Sequence, residues 1–474
     1  MRTFEILILV FSLAFVSWPL VISARYPVIR ATFAVPLALV LVVHFSIEGW
    51  RWQMAFLYVI AVWIIVRSIR FVSTSYNPTS EATSKLLSFS VFLAFLVGIS
   101  GPTLLPVVDL PAPIGGLDVG SVSLHLLDDD RTEVYGPTPG GGREVTIQVW
   151  YPTDDITGLE PMLWVENIDD FTSAISSYFS VPSFSLDHLI YSDTNSYLGA
   201  ELSEIRREYP VIVYSHGWGG FRTIALTQAE RLASEGFVVV AIDHTYLALS
   251  STLADGTPAP IDPEALPLYG TVDEEVYEER AITMLDTFAA DIVFVLDELA
   301  VVDAGDRLEL AFLADRLDVE EIGIYGHSTG GGAAVEVCSY DVRCVAYLGL
   351  DPWVEPVDDR YISAGLPVPS MVLRSEAWTK LTNEVRLQEL WEATVDKSPL
   401  YCVVGSTHRD FMLLSHISPL ADYLKRPSPL PAERMDRIIE DHLASFFNQE
   451  LRGLPAVDLE FEELSTCIEN APSQ

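Results

Sequence analysis

Lysine is nearly missing from this chain of 474 residues; it occurs only at Lys85, Lys380, Lys397 and Lys425. The 28 basic residues are otherwise arginine, and they stand against 66 acidic ones, a net charge of −38. Phosphate binding needs a positive surface, so this balance excludes nucleic acid as a partner. It also argues against electrostatic docking on anionic lipid. An acidic, lysine-poor surface suits solubility in high salt, and a GC-rich genome would leave the same bias. Cysteine is scarce as well: Cys338, Cys344, Cys402 and Cys467. No CxxC pair and no His/Cys cluster has ligand spacing, so neither a metal nor another cofactor is expected. Four cysteines allow three pairings. Cys338 and Cys344 could bridge a helix end to the next strand, with Cys402 joined to Cys467; four buried thiols are the alternative.

Charge is absent from four stretches: 6–24, 31–47, 52–66 and 86–108. A membrane span needs roughly 20 apolar residues, with about 17 as a lower limit. The first and last are long enough, the second is adequate, and the third is short but flanked by Trp52, Arg51 and Arg67. Residues 1–110 therefore read as a membrane anchor of about four helices, with three as the alternative. Cleavage of a signal peptide would leave the later runs unexplained. Residues 1–108 hold three acidic and seven basic side chains, a net of +4, which leaves −42 for residues 109–474. Arg25, Arg30, Arg67, Arg70 and Lys85 fall on one side of a four-span anchor. The positive-inside rule then places the remaining domain outside the cytoplasm. His44 alone is titratable within a run, near its end, and is expected to be interfacial or packed. The prolines at 102, 106, 111 and 113 predict a stiff linker out of the anchor.

Residues 111–474 alternate strands with helices. VTIQVWY at 145–151 alternates as a strand does; the glycines at 140–142 precede no helix, so they read as a turn rather than a phosphate cradle. Strands are predicted at 210–215, 237–242, 322–326, 345–350, 368–373 and 400–404. Helices are predicted at 225–235, 281–300, 328–339 and about 433–449. This rhythm implies a mainly parallel sheet with helices on both faces. The segment 246–279, rich in Pro, Asp and Glu, breaks it. It reads as a lid over the carboxyl edge of the sheet or as a passive loop. The apolar stretch 171–190 reads as an acyl-pocket wall, a bilayer contact or a packed helix pair.

The sharpest chemical signal is Gly326-His327-Ser328-Thr329-Gly330, set between a buried strand and an apolar helix. That context makes Ser328 a nucleophile on a strained turn. A serine needs a base, and the base needs an orienting acid, following in the order Ser, acid, His. His408 hangs after a strand and is the expected base. His416 is the fallback, and His442 is expected on the surface of the last helix. Asp351 ends the strand after the nucleophile unit and is the favoured acid, with Glu376 the runner-up. Two backbone N–H groups must face the developing oxyanion. Thr329 supplies one, and Trp218, in the loop Ser215-His216-Gly217-Trp218-Gly219-Gly220, supplies the other. His216 is expected to brace that loop.

YSHGWGGFRT at 214–223, GHSTGGGAA at 326–334, LGLDPW at 348–353 and GSTHRDF at 405–411 together resemble the plasma-type platelet-activating factor acetylhydrolases, also called lipoprotein-associated phospholipases A2, including bacterial relatives. The resemblance spans roughly residues 120–450. It implies an α/β-hydrolase fold and calcium-independent hydrolysis of short or oxidised acyl esters of phospholipids. It also implies Ser328 as nucleophile, Asp351 rather than Glu376 as acid, His408 as base, and Trp218 and Thr329 at the oxyanion positions. The segment 1–110 has no counterpart in the animal enzymes, and Trp218 and Thr329 differ from their side chains. A general carboxylesterase or polyester hydrolase is therefore the first alternative. A catalytically dead, membrane-anchored binding protein is the second, and a sensor or transporter the third.

Overall fold

Where they are described, the apolar runs of the first hundred residues fold as helices, and their few hydroxyls bond the helix's own carbonyls, Ser17 to Leu13 (2.7 Å) and Ser46 to Val42 (2.9 Å). A computed structural model describes residues 1–21, 34–73, 81–137, 139–378, 381–418 and 430–466. The chain divides into two compact units, Met1–Val108 with Ile417–Leu424, and Asp109–His416 with Lys425–Gln474.

In the first unit, helices α1 (Thr3–Val21), α2 (Ala34–Ile47), α3 (Ala55–Ser73) and α4 (Glu81–Leu104) pack around Ile8, Phe15, Leu37, Leu41, Leu57, Ile64 and Phe95. Their outward residues are apolar too: Val35 is 73 % exposed, and Leu39, Phe56 and Val59 are similarly bare. Two of these helices are long and apolar enough to cross a bilayer among the described residues, Trp52–Arg70 and Leu87–Leu104; the apolar helices Thr3–Ser17 and Ala34–Ile47 are shorter. The structure adds detail to the reading of these runs. The third apolar stretch continues as helix through Arg67 and Arg70. The linker begins later than Pro102, which lies inside α4. One flanking pair is buried: Arg51 donates to both Glu5 carboxylate oxygens at 2.7 and 2.9 Å, and to the Leu105 carbonyl at 2.6 Å. His44 is packed between Glu48 (2.8 Å) and Tyr58 (2.7 Å).

The second unit is built on one long sheet. Its strands are β1 (Asp118–Thr132), β2 (Gly142–Thr153), β3 (Pro161–Leu163), β4 (Asp193–Leu198), β5 (Tyr209–Ser215), β6 (Val238–His244), β9 (Leu317–His327), β10 (Cys344–Leu350), β11 (Ser370–Ser375), β12 (Lys397–Val403) and β13 (Leu464–Thr466), while β7 (Ser250–Thr252) and β8 (Pro258–Pro260) form a separate hairpin. The spatial order is β13-β12-β11-β10-β9-β5-β6-β2-β1-β4-β3. The strands from β6 to β12 run parallel, β2 is antiparallel to β6, and β13 is antiparallel to β12. The central strands are Val- and Ile-rich and buried on both faces, as a parallel sheet requires. The chain reverses its order where β5 is flanked by β6 and β9, and ligands of open α/β sheets bind at the carboxyl ends beside such a reversal.

The covering helices are α5 (Ile168–Phe179), α6 (Leu226–Ser234), α7 (Glu274–Asp303), α8 (Thr329–Tyr340), α9 (Asp359–Ala364), α10 (Leu381–Ala393) and α11 (Ala432–Arg452). Helix α7 starts earlier than its apolar stripe suggested, with Glu274 and Glu275 complementing the positive end of its dipole. It thus takes the end of the segment 246–279. The front of that segment is the β7–β8 hairpin, anchored by buried Leu247, Leu249, Ala259 and Ile261. The stretch 171–190 is α5 followed by a 3₁₀ turn at Ser183–Tyr191. A disulfide joins Cys338 to Cys344 across 5.1 Å between Cα atoms. Cys402 is buried on β12, and Cys467 lies outside the described residues.

Candidate active site

Ser328 sits at the β9–α8 junction with φ 53° and ψ −119°, a conformation that costs a non-glycine residue of order 1–3 kcal/mol. The backbone enforces it: Ser328 N–H donates to the Leu350 carbonyl (3.1 Å), and the Ser328 carbonyl accepts from Gly332 (3.0 Å) and Trp353 (2.8 Å). The turn needs bare glycine backbone beneath it. A Cβ on Gly330 would lie 2.2 Å from the Ser215 carbonyl oxygen. The strain lifts the serine side chain off the sheet edge.

The other candidate residues converge there. His408 Nε2 lies 3.0 Å from Ser328 Oγ, and His408 Nδ1 lies 2.9 Å from Asp351 Oδ2. Asp351 ends β10 with φ 47° and is 1 % exposed. Its remaining capacity is filled by Ser375, whose N–H donates to Oδ1 at 2.9 Å and whose hydroxyl donates to Oδ2 at 2.5 Å. The His408 ring is sandwiched by Trp378, centroids 4.0 Å apart, and His327, 4.5 Å apart. Glu376, the runner-up acid, is exposed and accepts from the Gly405 N–H (2.7 Å), so it braces the loop that carries His408. His416 pairs instead with Asp436 at 2.6 Å. Burial pulls the His416 pKa down, but Asp436 outweighs this and raises it. His442 is not a surface residue: it is buried, donates to the Ile438 carbonyl, and burial lowers its pKa.

The loop after β5 closes on the serine. A Cβ on Gly217 would come within 2.8 Å of Ser328 Cβ, so only glycine lets this loop approach. The Gly217 carbonyl accepts from the Gly220 N–H and from His216 Nδ1–H, both at 2.8 Å, while His216 Nε2 accepts from the His244 N–H at 3.4 Å. Those bonds fix the peptide plane between Gly217 and Trp218. Burial drives the His216 pKa down to about 3, so the ring stays neutral in the tautomer these bonds demand. The backbone N–H groups of Trp218 and Thr329 have no protein acceptor among the described residues.

A second Ser-His-Asp chain lies beneath, unannounced by any motif. Ser215 Oγ is 2.8 Å from His244 Nε2, and His244 Nδ1 is 2.9 Å from Asp291 Oδ2. Arg143 then clamps Asp291 at 3.0 and 2.7 Å and reaches Glu133 at 2.6 Å. Burial pushes the Asp291 carboxyl up, but Arg143 and His244 overcome it and hold it far below the usual range. Ser215, His244 and Asp291 are all fully buried, so no substrate reaches them. They anchor the root of the loop after β5.

The sequence profile of the platelet-activating factor acetylhydrolase, isoform II, family matches residues 108–447. The chain is similar to a platelet-activating factor acetylhydrolase of Cavia porcellus, 26 % identical over 68 % of this chain and 75 % of that one. It is also similar to one of Gallus gallus, 24 % identical over 57 % of this chain and 69 % of that one. A solved ferulic acid esterase from Streptomyces cinnamoneus shares the fold, with a TM-score of 0.62 and 24 % identity, over 76 % of this chain and 99 % of that one. The chain belongs to the platelet-activating factor acetylhydrolase, isoform II, family and is a carboxylic ester hydrolase.

Proposed function

We propose that Ser328, His408 and Asp351 carry out two-step acyl transfer on short or oxidised acyl esters of phospholipids. The observation that carries this reading is the hydrogen-bonded chain Ser328–His408–Asp351, at 3.0 and 2.9 Å, with the Trp218 and Thr329 N–H groups unengaged among the described residues. His408 Nε2 takes the proton of Ser328 Oγ as that oxygen attacks the ester carbonyl. The carbonyl oxygen becomes an alkoxide facing the N–H groups of Trp218 and Thr329. Asp351 holds His408 Nδ1–H and favours the imidazolium. The imidazolium then protonates the leaving alcohol, and water repeats the sequence on the acyl-enzyme. The relatives in Gallus gallus and Cavia porcellus, named as acetylhydrolases of platelet-activating factor, support the short-acyl reading. An acyl panel tests it: the full chain in mixed micelles is expected to cleave sn-2 acetyl phospholipid with kcat/KM at least about tenfold above the sn-2 palmitoyl lipid, since each buried methylene changes selectivity. Equal rates across the panel, or cleavage of polyester film alone, would favour the general esterase instead.

We further propose that residues 1–110 are a four-helix membrane anchor and that residues 111–474 work outside the cytoplasm. The outward apolar faces of α2 and α3 support the anchor. The Glu5–Arg51–Leu105 contact supports the even span count, because it joins the start of α1 to the end of α4 at one end of the bundle. Arg67 and Arg70, near the far end of α3 from Arg51, belong to the opposite end. The protein is expected to resist alkaline carbonate extraction. In intact spheroplasts, external protease should degrade residues 111–474; protection of that region would reverse the orientation.

A further inference from the structure

We propose that His327 is a positioning residue for the base, an inference that rests on His408 acting as base for Ser328. His327 is the last residue of β9, directly before the serine. Its Nε2–H donates to the backbone carbonyl of His408 at 2.9 Å, and its ring packs on the His408 ring at 4.5 Å and an angle of 34°. A carbonyl only accepts, so the proton of the neutral ring is on Nε2 and Nδ1 is bare. That Nδ1 is buried without a hydrogen-bond partner among the described residues. An apolar residue would fill this 2 %-exposed site without orphaning an acceptor, so packing alone does not account for a histidine here.

What the histidine supplies is a flat, neutral donor of the right reach. His408 opens the 3₁₀ turn His408–Phe411 after β12, a turn capped reciprocally by Thr407 and Asp410, and the loop before it is tied at Gly405 by Glu376. Neither contact ties His408 to β9. His327 does so from the strand that carries the nucleophile, so base and nucleophile share one rigid support. The ring must remain uncharged, because a cation stacked on His408 would oppose formation of the imidazolium. Burial, then the nearness of His408, holds the His327 pKa well below its ordinary value.

Two variants of the full chain separate the donor from the ring. His327→Phe keeps the stack and removes the N–H; His327→Gln keeps a neutral N–H and removes the ring. With p-nitrophenyl acetate, the Phe variant is expected to lose about tenfold or more in kcat with KM within twofold, the mark of a misplaced catalytic group. Its rate of labelling by a fluorophosphonate should fall in parallel. The Gln variant is expected within about threefold of wild type. His327→Leu replaces the Phe variant, with the same thresholds, if the latter does not fold. A folded Phe or Leu variant with kcat within twofold of wild type, or a Gln variant that loses as much as they do, would overturn the proposal. Failure of the underlying triad is seen separately, as absence of fluorophosphonate labelling at Ser328 in the wild-type protein.

Discussion

Ser328→Ala is expected to lower kcat for p-nitrophenyl acetate by about five to six orders of magnitude, with an unchanged melting temperature. Losing the nucleophile removes the covalent route entirely, and triads act as units, so little is left beyond oxyanion stabilisation and binding. The fold should tolerate the change. Among the described residues Ser328 Oγ is bonded to His408 alone, and removing strain from a non-glycine side chain at positive φ requires losing Cβ, which alanine keeps. The buried Ser215 makes a chemical control necessary, because its hydrogen-bond geometry is equally good. Mass spectrometry of the fluorophosphonate-treated wild type should find the adduct on Ser328 and none on Ser215. Turnover within tenfold of wild type in the Ala variant, or an adduct elsewhere, would sink the assignment.

Asp351→Asn is expected to cost about 10⁴ in kcat while leaving the site's geometry intact, because it imposes the wrong imidazole tautomer. The direction of the effect is set by Ser375. Its backbone N–H faces Oδ1 at 2.9 Å, so the asparagine oxygen must occupy that place. The new NH₂ then replaces Oδ2 and points at His408 Nδ1. Donor would face donor unless His408 moves its proton to Nε2, where it can no longer accept from Ser328. The check is kcat across pH 6 to 9 alongside a crystal structure of the variant. A loss below tenfold would show that Asp351 does not orient the base.

The site was legible in the sequence wherever chemistry and local structure coincide in a short motif. Gly326–Gly330 specifies a strand, a turn and a helix within five residues, so Ser328 could be placed from it. His408 and Asp351 follow strands, and strands with Val, Ile and Leu announce themselves. Residues that act through long sequence separation were invisible. Arg143 and Asp291 are 148 residues apart, and Ser375 lies 24 residues from the carboxylate it holds. No periodicity marks such pairs, since only the completed sheet brings them together. His442 was misplaced for a related reason: helix position does not say which neighbours cover a face, and α11 lays that residue against Tyr401 and Phe461. In the first unit, charge-free runs marked the helices but not their ends. Arg67 and Arg70 can extend from a helix as well as terminate it.

A sheet of this length has two open margins where a foreign strand could add itself. Both are closed by very short segments, β3 at one side and β13 at the other, three residues each. So short an edge offers few free backbone groups to a neighbour. Strand β13 pairs with Tyr401, Cys402 and Val403, the rim of β12 just before the His408 loop. Cutting the protein after α11 to obtain a tidier fragment would therefore bare a seven-residue strand and invite self-association beside the His408 loop. A fragment meant for solution work should keep residues 453–466.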